Sequence, residues 1–250
     1  MLSPPILHTA YSFLPTALCF LLTDFPGRHT MRLFLIGCEY AGTTTLAVEM
    51  CRWAKEEMGI ELGGIHDHWK IPEVVEHYPS ALSEEEMQQF LGLSLRMKDA
   101  YMRHNLYYHT PHDGVEMNQI MIGYYIEDTI YARLYYHYGR PGMAGDRAVH
   151  SKRIEELVAR LAPETVLILV KASAETISRR MKQARHPYQV IADTDIDRVS
   201  RLFDEAFEAS ILKNKLILDT TTATVAETLS AFVTKMQPFL TDADRRRRAT

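Results

Sequence analysis

Apolar residues follow two periods along this chain, and the alternation of the two lays out its plan. Short, nearly continuous apolar runs read as strands buried on both faces: residues 32–36 (RLFLI), 119–125 (QIMIGYY), 165–170 (TVLILV) and 215–218 (KLIL), with 65–69 (IHDHW) as a further strand end. Helical spacing fills the intervals. Residues 46–58 place Leu46, Met50, Trp53 and Ala54 on one stripe, and Ser83 opens a capping box that starts a helix or helix pair reaching about Tyr108. Residues 146–161, 176–182, 193–212 and 225–239 continue the pattern, the third with Val199, Leu202, Phe203, Ala206 and Phe207 inward. The aromatic stretch 131–138 reads as a helix packed on the sheet rather than a base-stacking platform, and 109–118 and 139–145 read as loops.

Strands alternating with helices predict an α/β fold: a three-layer parallel sheet flanked by helices, with right-handed crossovers and ligands at the carboxyl ends of the strands. Residues 31–240 form one such domain. The apolar run 11–23 is interrupted by Pro15 and lacks basic residues ahead of it, so 1–30 is expected to be an N-terminal extension outside the core, with an anchor or signal as the competing readings. Residues 241–250, with Arg245–Arg248, read as a solvated basic tail.

Composition adds limits. A chain of 250 residues with 46% hydrophobic content can bury a single large core. A net charge of −4 argues against a dedicated nucleic-acid binder, and the sequence offers no comfortable membrane span. Cysteines only at 19, 38 and 51 fit a reducing, cytoplasmic setting. A homodimer is compatible with all of this.

The chemistry centres on Gly37 to Thr45, between the first strand and its helix. Glycines let successive N–H groups turn toward one anion, and a helix N-terminus adds partial positive charge. Gly37, Gly42 and Thr44 keep the register of G-x-x-x-x-G-K-[ST], but Thr43 stands at the lysine position and Glu39 puts a carboxylate within the loop. Main-chain and hydroxyl groups of Gly37, Cys38, Ala41, Gly42, Thr43, Thr44 and Thr45 are the expected phosphate contacts. Glu127 and Asp128 fall at the expected end of the 119–125 strand. There they could hold a magnesium ion, with Thr44 and Glu127 as its protein ligands, or take a proton from an acceptor; capping of the next helix explains them equally well. Asp67 and His68, at another strand end, and Arg103, in the helical insertion, are expected substrate contacts; a metal site built on His66 and His68 would need ligands from afar.

With these pieces in order, the chain resembles the nucleoside and nucleotide kinases of the P-loop class, the thymidylate-kinase-like group, over roughly 31–240. The resemblance rests on the glycine loop, the acidic end of the third strand and the basic segment ISRRMKQARHP. It implies a P-loop NTPase-type fold, ATP and Mg2+ as cofactors, and a nucleotide plus a small-molecule acceptor as partners. It further implies lid arginines at Arg179, Arg180 and Arg185 closing over the transferred phosphate, and a turn at Asp219, Thr220 and Thr221 against the adenine. Lys171 or a lid arginine could replace the missing lysine charge. Two other readings compete. A non-catalytic nucleotide-binding protein is favoured by Thr43 and Glu39. A sulfotransferase-like enzyme matches Gly42-Thr43-Thr44 but has Tyr40 where a basic residue is usual.

Overall fold

The computed structural model describes residues 31–67, 84–111, 118–185 and 189–248. Five strands, β1 (Arg32–Ile36), β2 (Gly63–Asp67), β3 (Gln119–Ile122), β4 (Val166–Lys171) and β5 (Asn214–Asp219), form one sheet in the order β2-β3-β1-β4-β5. Every pairing is parallel. Helices cover both faces, which makes this the expected three-layer α/β fold. The order β2-β3-β1-β4-β5 puts β1 in the middle, so the chain leaving β1 enters the site between the ends of β3 and β4.

Side chains alternate across β1. Leu33 and Leu35 join a core beneath α1 (Thr43–Met58) and α8 (Val225–Met236), where the Trp53 and Phe232 rings meet edge to face at 5.2 Å. Phe34 and Ile36 join the opposite core, under α4 (Tyr124–Leu134), α5 (Arg147–Leu161), α6 (Ala174–Gln183) and α7 (Ile196–Ala209). The apolar stripes read from the sequence are the buried ones: Leu46, Met50, Trp53 and Ala54 on α1, and Val199, Phe203 and Phe207 on α7.

Two elements differ from expectation, each for a local reason. The third strand stops at Ile122 because Gly123 turns at φ 77° and donates its N–H to Leu35; α4 then begins at Tyr124. The helical insertion, read as a helix or helix pair, is the pair: α2 (Glu84–Gly92) and α3 (Leu95–Tyr108), divided where Ser94 caps the second by accepting from the Met97 N–H. The tail expected to be solvated carries a short helix, α9 (Asp242–Arg248). Thr241 and Asp244 cap it reciprocally, each side chain accepting from the other residue's N–H at 3.2 and 2.9 Å.

A buried ion network joins the helices on one side of the sheet. Arg147 and Asp128, both 0% exposed, form an ion pair through Nε and Oδ2. Arg147 Nη1 donates to Asp99 Oδ1 at 2.7 Å, and its guanidinium lies over the Tyr138 ring at 4.9 Å. Burial opposes the charge, yet Asp128, Tyr138 and Asp99 outweigh it and raise the Arg147 pKa. Removing one member leaves a buried charge without its partner. Arg147→Met should therefore lower stability by about 3 kcal/mol in urea unfolding, well beyond an exposed Arg153→Met control; equal midpoints for the two variants would contradict this account.

Candidate functional site

The loop after β1 is curled, and its shape follows from a few close approaches. A Cβ at Gly37 would collide with the Val170 carbonyl oxygen at the end of β4, so only glycine lets the chain leave the sheet here. The Ala41 N–H donates to the Cys38 carbonyl at 3.0 Å, closing a tight turn. Tyr40 and Gly42 take positive φ values, 64° and 102°, and α1 begins immediately afterwards at Thr43. No side chain caps α1 and no acidic residue lies in its first turn. Thr44 and Thr45 are exposed, so the start of this helix opens outward with its uncompensated partial positive charge. Thr43 is half-buried, and its methyl lies 3.3 Å from where a Gly37 Cβ would stand.

Remote residues fix the crown of the loop. Thr220 Oγ1, just past β5, donates to the Ala41 carbonyl at 2.7 Å. Arg180 Nη1 donates to the Tyr40 and Ala41 carbonyls at 3.0 and 3.2 Å and to Thr220 Oγ1 at 3.0 Å. Its Nη2 donates to the Thr220 carbonyl at 2.7 Å. Burial, then the neighbouring charge of Arg179, lower the Arg180 pKa, and a guanidinium remains charged all the same. Thr221 closes the same seam, accepting from the Ser173 N–H at 2.9 Å, while its own N–H donates to Asp219 Oδ1 at 2.8 Å. A bond from the Thr221 side chain, then the one from its N–H, hold the Asp219 carboxyl below the usual range.

Glu39 does not place its charge in the cradle, as the sequence suggested. Its carboxylate accepts from the Val190 N–H at 3.1 Å and the Ile191 N–H at 3.2 Å, and Tyr40 Oη donates to Gln189 Oε1 at 3.1 Å. The loop is thereby tied to the segment following the basic helix α6. Lys171, a candidate for the missing charge, bonds instead to Asp204 on α7 at 2.8 Å. Arg179 is exposed, with Nη2 at 3.3 Å from Thr176 Oγ1, and Arg185 is exposed just past α6. The three arginines expected to act together thus separate: Arg180 grips main chain while Arg179 and Arg185 reach solvent.

The two acids separate as well, because both lie in α4 rather than at a strand end. The Glu127 carboxylate folds back onto Gly123, where any Cβ would collide with it. Burial raises the pKa of the Cys38 thiol and the Tyr131 hydroxyl, and the nearby Glu127 charge adds to both. Asp128 points the other way, into the Arg147 pair. Arg103 pairs with Asp99 at 3.5 Å on α3, beside that same network. Asp67 closes β2 on the same rim as the loop, and His68 lies outside the described residues. Among the described residues no three histidine, cysteine or acidic side chains converge as a metal site. Among them no helix is long and apolar enough to cross a membrane.

The structural roles of Arg180 and Thr220 were hidden in the sequence because their partners are main-chain carbonyls roughly 140 and 179 positions away. Asp146-Arg147 after a glycine-rich loop was visible, but only as a helix start.

No family model matches the chain, and no curated protein matches it in sequence. Solved structures do match it in fold. The YorR protein from Bacillus subtilis, in complex with phosphorylated GDP, superposes with a TM-score of 0.53 at 15% identity, covering 84% of this chain and 99% of that one. Thymidylate kinase from Candida albicans gives 0.51 at 14% identity, covering 88% and 94%. Deoxyadenosine kinase from M. mycoides with bound dCTP gives 0.51 at 15%, covering 83% and 100%.

One loop residue can be excluded from covalent chemistry. Burial pushes the Cys38 thiol up to about 12; a bond to Ser200 opposes this, and Glu39 and Glu127 add to it. The thiol is therefore protonated at pH 8 and inert. Iodoacetamide at that pH should leave the Cys38 peptide unmodified in the native protein and alkylate it after denaturation, as mapped by mass spectrometry. Rapid native modification would contradict this assignment.

Proposed function

We propose that this P-loop nucleotide-kinase-like fold binds a nucleoside triphosphate through the loop 37–45 and transfers its outer phosphoryl group to a small acceptor, a nucleoside or nucleotide. The observation that carries the reading is the uncapped, acid-free start of α1 opening from a curled glycine loop. Phosphate oxygens are the natural partners for such N–H groups. The Asp219–Thr221 turn and Arg179 would flank the base and sugar, and Arg185 would meet the transferred group as charge develops on it.

ATP is the expected donor. The donor set for Mg2+ is small, the Thr44 hydroxyl with Glu127 on the same rim, and this suits an ion that takes most of its ligands from phosphates and water. When bound, the ion neutralises phosphate charge during transfer. Glu127, near the loop, is the better placed of the two acids to accept the acceptor's proton; Asp128 is committed to Arg147. The acceptor would lie toward Asp67 and the helices that follow β2.

A second reading has its own support. Thr43 carries no charge and Lys171 is paired with Asp204, so the alternative is nucleotide binding without transfer. One panel separates the two. Thermal unfolding should shift upward with millimolar ATP, and more so with magnesium, because a ligand that binds only the folded state stabilises it. Radiolabelled ATP with a nucleoside and nucleotide panel should then yield a phosphorylated acceptor. A thermal shift without product favours the binding module; no shift with any nucleotide refutes both.

A further inference from the structure

Resting on that reading, we infer that Arg180 is a positioning residue that shapes the phosphate cradle from behind, acting through the loop's own carbonyl oxygens. A trans peptide points its C=O and the following N–H in opposite directions. Holding the Tyr40 carbonyl outward therefore aims the Ala41 N–H inward, where it closes the turn to Cys38 at 3.0 Å. Holding the Ala41 carbonyl outward aims the Gly42 N–H to the inner side, beside the first amides of α1. The Ala41 oxygen receives two donors, Arg180 Nη1 at 3.2 Å and Thr220 Oγ1 at 2.7 Å, which occupy both of its lone pairs.

The arrangement needs a guanidinium. Nη1 reaches the Tyr40 and Ala41 carbonyls and Thr220 Oγ1, while Nη2 reaches the Thr220 carbonyl. One planar fork thus bridges the loop and the turn after β5, which a single ammonium cannot reproduce. A Cβ at Gly42 would come to 3.9 Å from Arg180 Nη1, so the fork lies directly against the left-handed residue that begins the helix. This placement gives Arg180 a different task from Arg179 and Arg185. It is held to main chain on the far side of the peptide planes, so its effect on a bound phosphate passes through the amides it orients.

The test uses inorganic tripolyphosphate as the probe, titrated calorimetrically into the full chain and into Arg180→Gln, Arg180→Lys and Thr220→Val. Wild type should bind. Arg180→Gln should weaken binding about tenfold, and Thr220→Val about threefold. Arg180→Lys keeps the charge but loses the fork, and should fall near Arg180→Gln. Hydrogen exchange at the Gly42 and Thr43 amides should rise in the Arg180 variants by more than at the amides of β4, which report any general loss of stability. If Arg180→Lys binds as wild type does, charge alone matters and the positioning role is overturned. If Arg180→Gln also binds as wild type does, Arg180 has no part in the cradle while the phosphate reading stands. If wild type itself does not bind tripolyphosphate, both the inference and the reading beneath it fail. Thr220→Val, which leaves the guanidinium in place, keeps the test decisive should an Arg180 variant fail to fold.

Discussion

One carbonyl oxygen, that of Ala41, is the point on which the organisation of this site turns. It receives a hydroxyl from beyond β5 and a guanidinium from α6, and it belongs to the loop that leaves β1. Three segments distant in sequence are brought together there by two hydrogen bonds. Each bond is modest in net energy, but a buried carbonyl left without partners is costly, so the meeting point is strongly specified. The curl of the loop and the direction of its amides follow from that point. So does the place of α6 beside it.

The second organising feature is the Asp128–Arg147–Asp99 network, and it limits what the site can do. Neighbouring acids on one helix turn were drawn to opposite duties. Glu127 stays beside the loop, whereas Asp128 turns into a closed, charged core with Arg147. A buried ion pair is costly unless its charges meet partners, and here Asp99 and the Gly145 carbonyl accept from Arg147 while Tyr138 donates to Asp128. The same glycine turn that ends β3 produces this division, because it starts α4 early and rotates successive residues by about 100°.

The layered α/β architecture was legible in the sequence because both of its periods are strong there. β1 and the α1 stripe are recovered, and the uninterrupted apolar run of β4 leaves little ambiguity. The glycine loop was legible too, through the spacing of Gly37, Gly42 and Thr44. What escaped was every contact in which a side chain meets distant main chain: Arg180 on Tyr40 and Ala41, Glu39 on Val190 and Ile191, Thr220 on Ala41. A residue's type shows that it can donate or accept, but not which remote carbonyl the fold delivers to it. The third strand was read too long for a related reason, since Tyr124 and Tyr125 suit a strand as well as a buried helix start, and only the backbone turn at Gly123 decides between them.

The vacancy at Gly123 has a bearing on the protein's history. The space a side chain would need there is already taken by the carboxylate of Glu127. The Glu127 Cβ would also stand 2.7 Å from an added carbon, and the backbone at 123 holds φ 77°, so loss of the acid alone would not admit a side chain there. Position 123 is confined to glycine by its own backbone as well as by its neighbour. Residue 127 is the freer of the two to drift, and the glycine is the fixed point around which it does so.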